Sequence, residues 1–217
     1  ERFSVDVPDF YKKKYNAAPT HLLPVITNTN PRGVSLFYWG TSPEWSKNKM
    51  PGEKNINIRT ENFEDKPALK KALRRSRCIV PADGFYGWKK VGKKTAIPYR
   101  FVLNSRDPFS LAGLWEEFED TDGKDTQTFS LITHEANELV SLVQERMPVI
   151  LTRQSEKVWL DNNSDEDTLL RLLTAYPAAA MTYYPVSPRI SDSSMDLPSM
   201  IIPTPASDQH GNLTLFD

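Results

Sequence analysis

The sequence predicts a single domain of mixed α+β architecture, and three observations carry that expectation. Seventeen prolines against nine glycines lie scattered along the chain, a distribution that favours many short extended segments and turns. Short runs rich in β-branched and aromatic residues alternate with a few amphipathic stretches. No internal shift of composition argues for two domains, and 217 residues suffice for one well-filled core.

Strands are expected at 35–39, 78–81, 85–88, 98–103, 109–114 and 129–133, where β-branched and aromatic side chains concentrate. Asp122-Gly123, between Phe118 and Phe129, is a hairpin-type turn signal. Helices are expected at 66–75, 135–143, 154–160 and 164–175. In the last of these Leu169, Leu170, Leu172 and Leu173 form an apolar stripe, and Asp165, Glu166 and Asp167 sit near the positive N-terminal end. After Pro185 the chain turns rich in proline and serine, so about 186–217 is expected as an extended strap on the single domain 1–217.

Bulk properties remove several classes. Hydrophobic residues at 39% and charged residues at 25% are those of a folding chain, not a disordered one. With 27 Lys+Arg against 28 Asp+Glu the net charge is −1, so any phosphate binding has to come from a local cluster. Cys78 is the one cysteine, which excludes a disulfide framework and a multi-thiolate zinc site and fits a reducing compartment. No apolar run approaches the roughly 20 residues that span a bilayer, so the expectation is a soluble cytoplasmic protein without a membrane partner. There is no P-loop, dinucleotide glycine fingerprint, H-E-x-x-H or G-x-S-x-G. His21, His134 and His210 are dispersed and read as surface or hydrogen-bonded histidines, so neither metal nor cofactor is expected.

Polar residues embedded in strand-like contexts are the candidates for chemistry. They occur in 15–20, 37–40, 57–61, 77–88 and 146–151. Arg59 and Arg146 stand where apolar groups would be cheaper, and a rigidly presented arginine can grip a phosphate with two parallel N–H bonds. Trp39 followed by Gly40 can offer an indole face to a base, a contact worth roughly 1–3 kcal/mol. The plainer alternatives are a core tryptophan and arginines paired with carboxylates.

In this order the N-x-A-P-T, N-x-R-x-E, R-C-I-V-P-A-D-G-F-Y-x-W and R-M-P-V-I-L blocks resemble the SRAP family (SOS-response-associated peptidases, or abasic-site processing proteins), from Glu1-Arg2-Phe3 to Pro203. The resemblance implies an α+β domain whose curved, mainly antiparallel β-sheets form a barrel-like core flanked by short helices and shape a cleft for single-stranded DNA. It implies that the initiator methionine is removed autoproteolytically to expose an N-terminal cysteine, lying just before Glu1 when Arg2 is matched to the family arginine. Amine and thiol of that cysteine would condense with the ring-opened abasic sugar into a thiazolidine crosslink. An α-amino pKa of about 7.7–8.0 leaves enough neutral amine for the reaction.

Carried over by position, the resemblance implies that Arg2 and Arg59 are phosphate ligands, with Arg146 similarly placed. Trp39 and Pro19 look like base-side contacts, Asn16 resembles the asparagine that orients the reacting centre, and Asn57 and Thr133 look like polar lining. Asp83-Gly84 reads as a structural turn, and Cys78, inside a strand block, as inert packing. The implied partner is single-stranded DNA containing abasic sites, met in the cytoplasm or on the bacterial nucleoid, with no obligate protein partner.

Two positions depart from the family pattern. Gly87 stands where the family carries glutamate, and Gln144 where it carries histidine. Neither replacement titrates, and a positioned acid or base commonly supplies roughly 10²–10⁴ in rate. Glu61 or Glu145 could stand in, provided its carboxylate points into the cleft. Beside the crosslinking reading there is therefore a second, a catalytically impaired binding module for single-stranded DNA. A third, an enzyme acting on a small ligand in the same cleft, would show as a cleft without a basic surface.

Overall fold

The computed structural model describes residues 2–7, 9, 11–41, 56–119, 125–208 and 210–213; Glu1 and the Asp122-Gly123 turn lie outside them. In chain order the strands are β1 (Leu22–Thr27), β2 (Asn30–Trp39), β3 (Asn57–Arg59), β4 (Arg77–Ala82), β5 (Phe85–Lys90), β6 (Ala96–Leu103), β7 (Phe109–Glu119), β8 (Asp125–Glu135), β9 (Arg146–Pro148), β10 (Ile150–Leu151) and β11 (Met181–Pro185). The helices are α1 (Asn62–Asp65), α2 (Pro67–Arg75), α3 (Arg153–Leu160) and α4 (Glu166–Arg171).

Strands β7, β4, β1, β2 and β8 pair in that order, and β8 returns to β7, closing a barrel. Its contacts are antiparallel except where β2 meets β8 in parallel, Tyr38 opposite Thr128 and Trp39 opposite Phe129. Alternation along each strand separates two cores. Leu23, Val25, Cys78, Val80, Phe109, Leu111, Phe129 and Leu131 belong to one cluster, while Ile26, Ile79, Ala112, Leu114 and Ile132 from the opposite strand faces belong to the other. Phe63, Leu73, Trp159 and Leu169 bring α1 to α4 onto that second cluster. The barrel-like α+β architecture that the resemblance implies is what forms, with a parallel seam in it.

A second sheet, ordered β11-β6-β5, turns Ile97, Tyr99, Phe101 and Met181 into the first cluster and leaves β5 as its edge. On the other face Arg100 reaches Tyr184 and Asp83, and a small cluster of Val186, Ile190 and Met200 packs against Tyr86 and Tyr184. Two 3-10 turns, Pro188–Ser191 and Pro198–Ile201, carry that cluster.

Two helix expectations need correction. Over 135–143 only Val140–Leu142 makes a 3-10 turn, because β8 extends to Glu135 opposite Arg146. Asn137 then substitutes its side chain for helical backbone bonds: its Oδ1 accepts the Val140 N–H at 2.9 Å and its Nδ2 donates to the Tyr176 carbonyl at 2.7 Å. Over 164–175 the α-helix is Glu166–Arg171, capped by the Asp165 carboxylate on the Thr168 N–H at 2.8 Å. The chain then tightens, Leu173 N–H bonding the Leu170 carbonyl at 3.0 Å, which delivers Leu173 to the core. Among the described residues no helix is long and apolar enough to cross a membrane.

Candidate functional site

A cleft of about 1530 Å³ opens between the barrel and the β5 edge of the second sheet. Its floor is apolar, with Leu23, Val80, Leu111, Phe129 and Leu131 from the barrel. Trp39, last residue of β2, lies over this floor with its ring 6.4 Å from Phe129 and only 7° from parallel, and its Nε1–H donates to the Ile56 carbonyl at 3.0 Å. Gly40 turns the chain away at φ 82°, a conformation that suits glycine, and its N–H bonds the Phe129 carbonyl. The indole is therefore fixed in orientation, and it lines the cleft.

One polar wall comes from β3, β8 and β9. Parallel pairing puts Asn57 opposite Leu131 and Arg59 opposite Thr133, and antiparallel pairing brings Arg146 opposite Glu135. Arg146 is held by the Thr133 carbonyl at 2.7 Å and Oγ1 at 3.3 Å, and by both Glu61 carboxylate oxygens at 3.0 and 3.1 Å. The hydrogen bond from Arg146 keeps the Glu61 carboxyl below its usual range, so Glu61 is no proton reservoir near neutral pH, and it does not line the cleft. Glu145 does line it.

The two departures from the family pattern face each other. Gln144 donates from Nε2 to the Arg146 carbonyl at 2.8 Å, and its Oε1 lies 2.6 Å from where a Cβ on Gly87 would stand. Phe101 is 3.0 Å from the same point. The carboxamide thus occupies the space that a side chain at position 87 would enter.

Asn16 lines the cleft but is committed elsewhere. It is 4% exposed, and its Nδ2 is shared among the carbonyls of Ile190, Asp192 and Met195 at 3.0–3.1 Å. Asp196 accepts the Tyr15 and Asn16 N–H groups at 2.6 and 3.0 Å and pairs with Lys14 at 3.3 Å. Burial alone would raise the Asp196 carboxyl, but those N–H bonds and the ammonium outweigh it and hold it below its usual range. Tyr86 completes the clamp, donating to the Tyr15 carbonyl at 2.6 Å, with burial pushing its phenol up to about 12. This geometry makes Asn16 a clamp between the first residues and the C-terminal segment, and no local sequence signal identifies Asp196 or Tyr86 as its partners.

Asn16, Pro19, Trp39, Asn57, Thr133, Gln144 and Arg146 all line this one cleft. Arg2 and Arg59 do not. Arg2 closes a fork onto the buried Glu156, which also accepts from Ser110 at 2.8 Å, and it donates from Nε to the Pro108 carbonyl at 3.1 Å. That pairing seats its neighbour Phe3 on the cleft wall. Arg59 is exposed on β3. Cys78 is fully buried and burial pushes its thiol far up, which fits inert packing. Among the described residues no three His, Cys, Asp or Glu side chains gather as a metal site.

The family description "SOS response associated peptidase (SRAP)" matches residues 1–193. The abasic site processing protein YoqW of Bacillus subtilis is 39% identical over 206 residues, covering 93% of this chain and 92% of that protein. The abasic site processing protein HMCES of Rattus norvegicus is 26% identical over 90% of this chain and 66% of its own length. A crystal structure of a protein from Bacteroides thetaiotaomicron superposes with a TM-score of 0.75 at 27% identity, covering 85% of this chain and 82% of that one.

Proposed function

The chain belongs to the SRAP family, and from that premise we propose that it processes abasic sites in DNA, holding a single strand in the cleft between barrel and second sheet. One observation carries the reading: a fixed indole, the polar groups of Asn57 and Thr133 and the guanidinium of Arg146 converge on a single apolar-floored cleft. Stacking on Trp39 and phosphate contact from Arg146 are what a base and its backbone need. The cleft lining carries six lysines and arginines against the carboxylates of Asp83 and Glu145, which favours a polyanion over a small neutral ligand.

In the full reading, a cysteine just before Glu1 becomes the mature N-terminus once water hydrolyses the initiator methionine's peptide bond. Its amine adds to the sugar aldehyde, water leaves, and its thiol closes a thiazolidine on the same carbon. Phe3 on the cleft wall supports this, since it brings the start of the chain beside the site. The contact between Gly87 and Gln144 favours a second reading, a cleft that binds DNA and crosslinks slowly or not at all, because neither residue transfers a proton.

Binding is tested by fluorescence anisotropy with single-stranded DNA carrying a tetrahydrofuran abasic site, which has no aldehyde to react. Arg146→Ala is expected to weaken binding about fivefold to tenfold and to flatten the salt dependence by about 0.7 in log–log slope. Glu61→Gln is expected to tighten binding, because Arg146 no longer has a carboxylate competing with phosphate. Unchanged affinity in both variants contradicts the assignment of this wall.

A further inference from the structure

Glu156 stands on α3 at 8% exposure, a costly place for a carboxylate unless it is paired. Its partners come from two other parts of the chain. Ser110, fully buried on β7, donates to Oε1 at 2.8 Å, and Arg2 closes a fork on both oxygens, with Nη1 donating to Oε2 at 3.0 Å. Arg2 also donates from Nε to the Pro108 carbonyl, so α3 and the approach to β7 hold the guanidinium at once. Neither Arg2 nor Glu156 lines the cleft, yet Phe3 and Pro108 beside them do.

The fork opens a pinned segment. The Arg2 guanidinium lies 4.5 Å from the centre of the Phe3 ring, and Phe3 and Val5 both pack against the second core cluster. Ser4 between them takes φ 52°, a left-handed conformation that a residue other than glycine keeps only where its neighbours are fixed. Asp6 then bridges to Gly33 of β2. The first residues of a domain ordinarily fray, and here a fork, two packed side chains and a backbone bridge oppose it.

We infer that Glu156 is a positioning residue: through Arg2 it tethers the start of the chain, so that a cysteine just before Glu1 stays beside the cleft when an abasic sugar arrives. The inference rests on the crosslinking reading of the site and deepens it. Two residues span at most about 7 Å, so an anchored Arg2 confines the reacting amine and thiol to a small volume near Phe3. Confinement of this kind turns an encounter between a mobile end and the aldehyde into a step within one complex. A guanidinium–carboxylate fork fixes direction as well as distance, which a single point charge does not.

The test uses full-length protein verified to begin at a cysteine. Glu156→Gln keeps an acceptor for Ser110 and removes the charge and one of the two acceptors for Arg2. With saturating abasic single-stranded DNA it is expected to slow adduct formation about tenfold, while affinity for the tetrahydrofuran strand stays within about twofold. Arg2→Lys keeps the charge but not the fork and is expected to fall between the two. Aminopeptidase digestion followed by intact mass reads the tether without DNA: wild-type protein is expected to retain Arg2 and Phe3, and Glu156→Gln to lose them. Equal trimming of both proteins overturns the tether. An unchanged adduct rate in Glu156→Gln, or a fall in affinity as large as the fall in rate, overturns the positioning role. Wild-type protein that binds the tetrahydrofuran strand but forms no adduct with abasic DNA overturns the crosslinking reading and the positioning role with it, and the digestion still decides the tether.

Discussion

Replacing Arg77 with alanine lowers the melting temperature by roughly 10 °C, the largest stability effect expected of any single change here. Arg77 is fully buried, and burial pulls its guanidinium below the usual arginine range. Its donors go to carbonyls: Nε to Trp159 at 2.6 Å, Nη1 to Leu73 at 2.7 Å and Nη2 to Asp161 at 2.9 Å. These carbonyls close the C-terminal ends of α2 and α3, where helix dipoles favour a cation. Removing the side chain strands them in the core beneath a cavity, at a cost of about 4 kcal/mol. Arg77→Lys keeps the charge but not the fork, so it is expected to recover only part of the loss. Differential scanning calorimetry reads both, and a shift below about 2 °C for the alanine variant would contradict this account of how the helices are tied to the barrel.

The second large effect concerns rate. In protein verified to begin at a cysteine, Gly87→Glu together with Gln144→His is expected to accelerate adduct formation by on the order of 10², read as covalent product on denaturing gels with abasic single-stranded DNA. The pairing matters. A Cβ at position 87 stands 2.6 Å from Gln144 Oε1 and 2.8 Å from its Cδ, so Gly87→Glu alone has to displace the carboxamide from its bond to the Arg146 carbonyl. The single variant is accordingly expected to gain far less than the double. Equal rates for the parent and the double variant would mean that these positions do not carry the proton transfers.

Much of this was legible in the sequence where chemistry is local. The strand runs around 78–81, 98–103 and 129–133 fall inside β4, β6 and β8, because β-branched and aromatic residues favour the extended chain and these stretches are buried. Each of the polar blocks found as strings, from Asn16 to Arg146, brings at least one residue to the same cleft, although Arg59 and Glu61 stay outside it. What escaped was set by distant partners. β1 carries Pro24 and was hidden by it, and β9 and β10 are two halves of one R-M-P-V-I-L block that pair with different strands, β8 and β7. Arg2 reads like a phosphate ligand on a string of letters, yet Glu156, far along the chain, takes its guanidinium. Asn16 likewise meets carbonyls that only the C-terminal segment supplies.

The central claim is that DNA enters this cleft and meets Trp39 and the Gln144 pocket together. Side-chain N–H signals followed by two-dimensional NMR during titration with tetrahydrofuran-containing single-stranded DNA test it most directly. The Trp39 indole and the Gln144 carboxamide should shift in step, while the Trp159 indole, buried under the helices and bonded to the Cys78 carbonyl, stays in place. Saturable binding that leaves Trp39 and Gln144 unmoved and perturbs the helical face instead would contradict the assignment.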